Sequence, residues 1–429
     1  MAAYRFLQNS KVTEELLLSQ LVKKCHQICA DKRLLVLCDT TEFNLYNHKE
    51  RIKDFRGIGS TSNNDILGFF SQNLLAIERD TLLCLGWAGI KIFNRPLKNK
   101  PFVRSNGSVP IEKKESYKWL GPCLKSKSNV LKDSSHVLFV MDREADIYEV
   151  MERLPDERTD ILIRVKHDRI VHRADGVRVK VKEDIRNSKT KGIVSIQVNS
   201  DNKKRLARQA ECEVKWEQYS VPISKTVFYK KRYKQEITLT AVHIREVKKT
   251  VPKGEKPLEW TLWYSQPIEN LQQAIEVIGC YKSRWHVEEA HRLLKKKGFN
   301  IEATELEKGS SIRKLLLLAM EASIKIMQLK SARDGDTLIP IDAVFTKEEI
   351  SCLEHLNEQY QGATEKQQNP HPSNTLPWSS WIIARIGGWK GFKSQRPPGT
   401  ITFQRGYMSF KEIYSGYSIS RNLKDVYKR

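Results

Sequence analysis

Two apolar runs of the sequence each lead to an aspartate. LLVLCDTT (34–41) contains Asp39, and HVLFVMD (136–142) ends in Asp142. Both runs have the composition of buried strands, so we predict that each strand delivers an acid at its end. Carboxylates at strand ends can share a pair of divalent metal ions, the arrangement that in-line phosphoryl displacement needs. Either aspartate alone could equally be a turn former or a helix cap.

A third acid lies in a helical pattern with two cations and a phenol. In YKSRWHVEEAHRLLKKKG (281–298), at about 100° per residue, four side chains fall within a stripe of roughly 60°. These four are Tyr281, Arg284, Glu288 and Lys295. The opposite face is apolar and can dock on a sheet, with Val287, Ala290, Leu293 and Leu294. In this setting a carboxylate can hold a metal ion while the cations bind adjoining phosphates.

Glu288 is the better ligand of two adjacent glutamates, because Glu289 points about 100° away from the stripe. The alternative is a solvated helix face with i,i+4 ion pairs, for which Arg284 and Glu288 have the right spacing. The two strand-end aspartates favour the metal-binding interpretation, since three carboxylates can then meet at one site.

The elements that must position these residues follow from hydrophobic periodicity. The first part of the chain predicts a helix over 9–29, strands over 34–41, 69–77 and 81–93, and a polar, loop-rich segment over 105–135. In the first helix, Ser10 is the expected cap, and the candidate buried positions are Leu16, Leu17, Val22 and Cys25. The remaining expectations are a strand over 136–142, a helix after it, strands over 160–166 and 258–265, helices over 268–297 and about 310–332, and a mostly helical or irregular C-terminal part.

Residues 167–255 differ in character from the flanking segments. Short alternating runs such as GIVSIQV and EITLTAVHI are separated by Lys- and Arg-rich turns, which predicts a basic, β-rich module without helices. Two of its basic turns, KKR (203–205) and KKRYK (230–234), suit a DNA backbone track or simply aid solubility.

Composition indicates a polyanionic partner. The chain has 429 residues and a formal net charge of +23, an excess that most often meets nucleic acid. The eight cysteines are scattered and contain no Cys-x-x-Cys pair, which argues against a zinc ribbon. The start of the chain is too polar for a signal peptide and no run is long enough to span a bilayer, so we expect a cytosolic protein that does not bind membranes.

Together these motifs resemble a known family. DTT at 39–41, DREAD at 142–146 and the Y-x2-R-x3-E-x6-K pattern at 281–295 are similar to the DDE transposases of bacterial insertion sequences, and within them to the hairpin-forming, cut-and-paste IS-four type. YRFLQN (4–9), PKGEKPLEW (252–260) and RIGGWKG (385–391) share the resemblance, which therefore runs over most of the chain.

The resemblance implies an α/β fold with an RNase H-like mixed sheet, interrupted by a β-rich insertion and followed by a mainly helical C-terminal domain. The implied boundaries are an N-terminal helical remnant (1–30), the first part of the core (31–166), the insertion (167–255), the second part of the core (256–332) and a dimerisation region (333–429). Asp39, Asp142 and Glu288 would be catalytic and would bind two Mg²⁺ or Mn²⁺ ions.

The resemblance also implies how DNA is held. Tyr281, Arg284 and Lys295 match phosphate-binding positions near the cleaved end. Trp260 matches a tryptophan that stacks on a base flipped out of the duplex, although it could also be a packed strand aromatic. The implied partners are double-stranded transposon-end and target DNA and a second subunit in a synaptic complex, and the implied location is the bacterial cytoplasm at the nucleoid.

Two departures leave alternatives open. Gln72 stands where many relatives have a histidine, and only 38 residues precede Asp39, so most of the family's N-terminal end-recognition domain is expected to be missing. One rival function is therefore a truncated transposase that binds DNA, dimerises and inhibits transposition with low activity of its own. Another is an RNase H-like nuclease for other nucleic-acid structures, which Trp260 and the 281–295 signature disfavour.

Overall fold

The computed structural model of the chain describes most of its residues. The described ranges are 2–61, 66–97, 109–198, 200, 205–295, 298–335, 339–392 and 395–426. Twelve strands are found in them: β1 (Arg33–Asn44), β2 (Gly59–Ser60), β3 (Leu67–Glu78), β4 (Cys84–Phe93), β5 (His136–Met141), β6 (Thr159–Arg164), β7 (Ile170–His172), β8 (Arg178–Lys180), β9 (Gly192–Val198), β10 (Arg208–Pro222), β11 (Glu236–Glu246) and β12 (Glu259–Tyr264).

These strands form one mixed, mostly antiparallel sheet. Its order is β2-β3-β1-β5-β6-β12-β11-β10-β7-β8, with β4 paired to β3 and β9 paired to β10. The parallel pairs are β1 with β5 and β5 with β6. Long apolar stretches of β1, β3 and β5 are fully buried, as expected for strands covered on both faces.

Helices cover this sheet and continue to the C-terminal part. They are α1 (Ala2–Gln8), α2 (Glu14–Cys29), α3 (Gly121–Asn129), α4 (Tyr148–Arg153), α5 (Val181–Asn187), α6 (Leu271–Lys282), α7 (Trp285–Leu294), α8 (Gly309–Ala332), α9 (Lys347–Tyr360), α10 (Leu376–Ile386) and α11 (Thr400–Val426). Helices α2 and α8 pack on β4, and α7 packs on β1. The Trp87 indole of β4 donates to the Met320 carbonyl of α8 at 2.9 Å. Within the described ranges, no helix is both long and apolar enough to cross a bilayer.

The first predicted helix is wrong at its start. Helix α2 begins at Glu14, because the Thr13 hydroxyl caps it by accepting from the Leu16 amide, and α1 is a separate helix before it. Cys25 is buried as predicted, but Leu16 is 46 % exposed and Leu17 and Val22 are only partly buried. The helix therefore buries a face rotated from the predicted one.

Other boundary predictions also need correction. The segment predicted as polar loop contains α3, and the β-rich segment contains α5, whose Val181 and Ile185 are fully buried. The pattern over 268–297 forms two helices rather than one. At their junction the Ser283 hydroxyl donates to the Gly279 carbonyl and the His286 ring to the Ser283 carbonyl, and such side-chain bonds to helix carbonyls bend or interrupt a helix.

The strands of the β-rich segment belong to the same sheet as β1, β5 and β6. Strand β12 is hydrogen-bonded to β11 on one side and to β6 on the other. The predicted boundary between 255 and 256 therefore separates two neighbouring strands of a single sheet, and the domain boundaries stay a prediction.

Candidate active site

Neighbouring strands position the two aspartates. The parallel pairing of β1 and β5 ends with Cys38 opposite Met141, so Asp39 and Asp142 are the next residues on the two strands. Asp142 follows its strand as predicted and accepts from the Arg143 amide at 2.6 Å. The prediction that Asp39 ends its strand is wrong, because β1 continues to Asn44 through antiparallel pairing with β3.

Helix α7 positions the third acid. Its apolar face is buried as predicted: Val287, Ala290, Leu293 and Leu294 are fully inaccessible. Arg284, directly before the helix, donates to Glu288 four residues later, and its guanidinium also lies 3.4 Å from Asp39 Oδ2. The i,i+4 ion pair of the solvated-face alternative thus exists, but only 17 % of the Arg284 side chain is exposed and it also contacts the first strand.

Asp39 responds electrostatically to both of the other acids. Burial raises the pKa of Asp39 to about 6, against the opposing effect of Arg284, and the negative charges of Glu288 and Asp142 raise it further. Burial disfavours the charged form of Arg284, yet Asp39 and Glu288 raise its pKa above the usual value. The pKa of Asp39 rises because burial outweighs the effect of Arg284, so the Asp39 charge is incompletely compensated.

A buried polar chain, which the sequence did not single out, supports Asp39. The Ser71 hydroxyl donates to Asn73 Oδ1 at 2.6 Å, and the Asn73 amide donates to His291 Nε2 at 2.9 Å. His291 Nδ1 then faces Asp39 Oδ2 at 3.7 Å. Burial lowers the pKa of His291 to about 3, and Lys295 and Arg284 lower it further, so the ring is neutral. Helical spacing was the available signal, since His291 follows Glu288 by three residues on α7.

Asp146 anchors the loop that follows Asp142. Its fully buried side chain accepts from the backbone amides of Lys166 and His167, both at 2.8 Å, and from Arg169 Nη2 at 2.5 Å. These bonds fix the loop after Asp142 to the segment after β6. Asp146 belongs to the DREAD sequence, but nothing local distinguishes a buried acid from an exposed one.

The proposed DNA-binding residues do not all share one helical stripe. Tyr281 belongs to α6, is 5 % exposed, and its pKa is raised by burial. Trp260 of β12 is partly buried and meets the Tyr281 ring edge-on, with centroids 5.4 Å apart. Lys295 caps α7 in an extended conformation, with its Nζ 5.8 Å from the centre of the Phe43 ring.

The prediction that these four residues form one helical stripe is therefore wrong. Helix α6 ends before Arg284, and α7 ends before Lys295. Lys296 and Lys297, which follow, lie outside the described residues, as do Lys203 and Lys204 of the first basic turn.

Gln72 lies beside this site. It is fully buried on β3 opposite Thr40, whose hydroxyl donates to its side-chain oxygen. The neighbouring pair in the same register is Asp39 with Asn73. Gln72 thus fixes the residue next to Asp39.

The chemistry of the three acids fits a hard divalent cation, because Mg²⁺ and Mn²⁺ prefer carboxylate oxygens. The incomplete compensation of Asp39 also leaves negative charge for a cation to balance. Over the residues the structure describes, no three His, Cys, Asp or Glu side chains are arranged closely enough to form a complete metal site. The Arg284 guanidinium lies between the carboxylates of Asp39 and Glu288 and contacts both.

One family model matches part of the chain. Residues 125–323 match the family model of the transposase DDE domain. This segment is a little under half of the chain and contains Asp142 and Glu288, whereas Asp39 precedes it. The match supports a DDE transposase, with DNA as the substrate of the class and divalent metal ions as its usual requirement. The mixed α/β sheet with flanking helices is compatible with such a domain.

Proposed function

We propose that this protein is a cut-and-paste transposase of the hairpin-forming IS-four type, with an RNase H-like core and Asp39, Asp142 and Glu288 as its catalytic acids. One observation carries the proposal furthest. Asp39 from β1 and Glu288 from α7 share Arg284, and Asp142 on the neighbouring strand is close enough to act electrostatically on Asp39.

Two Mg²⁺ or Mn²⁺ ions held by these acids would stabilise the attacking and leaving oxygens of phosphoryl transfer. The protein positions the acids through β1, β5 and α7, while Arg284, Tyr281 and Lys295 bind phosphates near the cleaved end. Water first nicks one strand, the freed 3′-OH attacks the other strand to form a hairpin, and hairpin opening and transfer into target DNA reuse the same three acids.

Trp260 has a separate role in this scheme. A sharply bent hairpin displaces a base, and an aromatic ring beside the phosphate-binding residues can stack on it. The edge-on contact of Trp260 with Tyr281 supports this role. Replacing Trp260 with Ala should spare the first nick and slow hairpin formation, and a normal hairpin yield would mean that Trp260 is a packing residue.

Residues 333–429 are proposed to pair two subunits, so that both element ends are held in one complex before cleavage. Cleavage then requires a homodimer. Helices α9, α10 and α11 contact one another, and α11 also contacts α7, which connects this region physically to the catalytic helix.

The central test uses a supercoiled plasmid that carries the DNA flanking this reading frame. With Mg²⁺ or Mn²⁺, the protein should nick the element ends and release hairpins, and Asp39→Asn, Asp142→Asn and Glu288→Gln should each abolish both products. Glu276→Gln on the exposed face of α6 is the matched control for Glu288→Gln and should retain activity. Full activity of Asp142→Asn, or equal losses from Glu276→Gln and Glu288→Gln, would contradict the assignment. Cleavage of branched DNA without end specificity would instead favour the general nuclease.

A further inference from the structure

The loop between β10 and β11, residues 223–235, is a basic loop fixed against α4. Its base is closed by the Ile223 amide donating to the Gln235 carbonyl at 2.8 Å. Val227 is buried, and the Tyr148 hydroxyl of α4 donates to the Lys234 carbonyl at 2.7 Å. The basic loop is therefore held in place by α4.

Charge in the basic loop is entirely positive. It contains five cations and no acid, and all five are exposed: Lys225, Lys230, Lys231, Arg232 and Lys234. Within the described part of the chain, none of the five forms a salt bridge. Arg232 interacts electrostatically with the carboxylate of Glu112, but that carboxylate already forms a salt bridge with Arg153 at 2.7 Å. The positive charge is thus available to an external anion.

The tip of the basic loop also presents an aromatic ring. Tyr229 is 55 % exposed and has a φ of +53°, a left-handed conformation that costs a non-glycine residue about 1 kcal/mol or more. The short 3₁₀ turn Lys230–Arg232 follows directly. The Arg232 guanidinium lies 4.8 Å from the centre of the Tyr229 ring, and the Phe228 ring meets it edge-on with centroids 3.9 Å apart. More than half of this strained tyrosine is still exposed, which points to a ligand that it stacks against.

Phosphate-binding cations next to an exposed ring are the features that bind single-stranded nucleic acid. In a duplex the base faces are already stacked, so an exposed tyrosine gains most from an unpaired strand. We infer that the basic loop binds an unpaired DNA strand, with Lys230 and Lys231 on phosphates and Tyr229 stacked on a base. The origin of such a strand rests on the proposed transposase function, which generates free strand ends, whereas the binding itself does not.

The test measures binding of the full-length chain, without metal, to a fluorescent duplex with a single-stranded overhang. Tyr229→Asn removes the ring but keeps a residue that tolerates a positive φ, so the loop backbone is retained. It should weaken binding to the overhang probe at least about 5-fold, while Tyr229→Phe binds as the parent does. A thermal unfolding temperature equal to the parent's shows that the variant is folded.

Lys230→Gln with Lys231→Gln should reduce the slope of log affinity against log salt by about 1.4, or about 0.7 for each lost contact to a single strand. Lys23→Gln with Lys24→Gln on the exposed face of α2 changes the charge equally and should leave the slope unchanged.

Equal slope changes for the two double variants, or unaltered binding of Tyr229→Asn, would overturn the inference. Because no cleavage is measured, its failure is distinct from failure of the transposase proposal. A catalytically unaffected Asp142→Asn variant would refute that proposal and leave these binding results standing.

Discussion

At the level of single residues, Arg284 links two of the three candidate acids. Its guanidinium contacts Asp39 and Glu288, two carboxylates that are also expected to bind metal. A guanidinium and a divalent cation at the same carboxylates compete, because each compensates the same negative charge. We therefore expect Arg284 to stabilise the metal-free protein and to oppose metal binding at these carboxylates.

Replacing Arg284 with Gln should show both effects. Without metal, the loss of charged hydrogen bonds should lower the free energy of unfolding by about 1–3 kcal/mol. Added Mn²⁺ should then raise the unfolding temperature of Arg284→Gln more than that of the parent, because the unpaired carboxylates gain more from the cation. Thermal unfolding with and without Mn²⁺ measures this.

The control for this prediction is the double variant Asp39→Asn with Arg284→Gln, which should lose the additional Mn²⁺ response. An identical Mn²⁺ shift for the parent and Arg284→Gln would contradict the competition.

At the level of elements, α7 is held in place by Glu289, which is adjacent to Glu288. Glu289 accepts from Lys330 of α8 at 2.8 and 2.6 Å and from Thr400 of α11 at 3.0 Å. Although burial opposes the charged form, the bonds from Lys330 and Thr400 lower the pKa of Glu289 below its usual value. The Glu289 side chain points away from Glu288, as the helical angle predicts. It contacts α8 and α11 rather than solvent.

Glu289→Gln should consequently be mild for cleavage chemistry and costly for stability. We expect a loss of about 3 kcal/mol in the free energy of unfolding, because Lys330 would remain as a poorly compensated charge. Lys330→Met should cost a similar amount, and the double variant should cost less than the sum of the two. Urea unfolding of the four proteins gives this cycle, and strict additivity would show that the pair is not coupled.

The junction of β11 and β12 contains a titratable group that should make the sheet sensitive to acid. His243 is 2 % exposed, and its Nδ1 lies 2.9 Å from the Thr261 hydroxyl. Burial lowers its pKa from 6.5 to about 4, against the opposing charge of Glu259, which Arg186 binds at 2.8 Å. Lys215 and Arg245 lower the pKa slightly further.

Because the folded pKa is depressed, the unfolded chain takes up the proton first as the pH falls. The contribution of neutral His243 to the free energy of unfolding is complete above pH 6.5. It decreases as the pH falls toward 4, by about 1.4 kcal/mol per pH unit. His243→Gln should therefore show a shallower loss of stability across this range in urea unfolding. Parallel curves for His243→Gln and the parent would show that the imidazole does not titrate there.

At the level of the whole molecule, a net charge of +23 acts on folding and on binding in opposite directions. Self-repulsion destabilises the compact state and is screened by salt, whereas salt weakens binding to DNA phosphates. Raising NaCl should increase the unfolding temperature of the free protein. Between about 50 and 200 mM salt, DNA affinity should fall roughly a thousandfold or more if six or more phosphates are contacted.

Differential scanning calorimetry and fluorescence anisotropy measure the two trends on the same preparation. A sample saturated with DNA should lose the salt-induced rise, because bound phosphates already compensate the charge. An unfolding temperature that falls with salt in the free protein would show that attractive ion pairs outweigh the net repulsion.

The sequence by itself determined the features that depend on local pattern. The buried strand before Asp142, the buried strand that contains Asp39 and the apolar face of α7 all follow from side-chain periodicity along a few turns or strand residues. These predictions hold because burial of an alternating or helical apolar face is the largest local contribution to where a segment packs.

Tertiary structure alone decided what depends on distant partners. Antiparallel pairing with β3 extends β1 beyond Asp39, and β12 joins the β-rich segment to the core sheet instead of leaving it separate. The buried partners of Asp146, Glu289 and His291 come from segments 20 to 218 residues away in the chain. A carboxylate or imidazole has the same local sequence signal whether it ends in water or against such a partner, and only the folded chain brings the partner within hydrogen-bond distance.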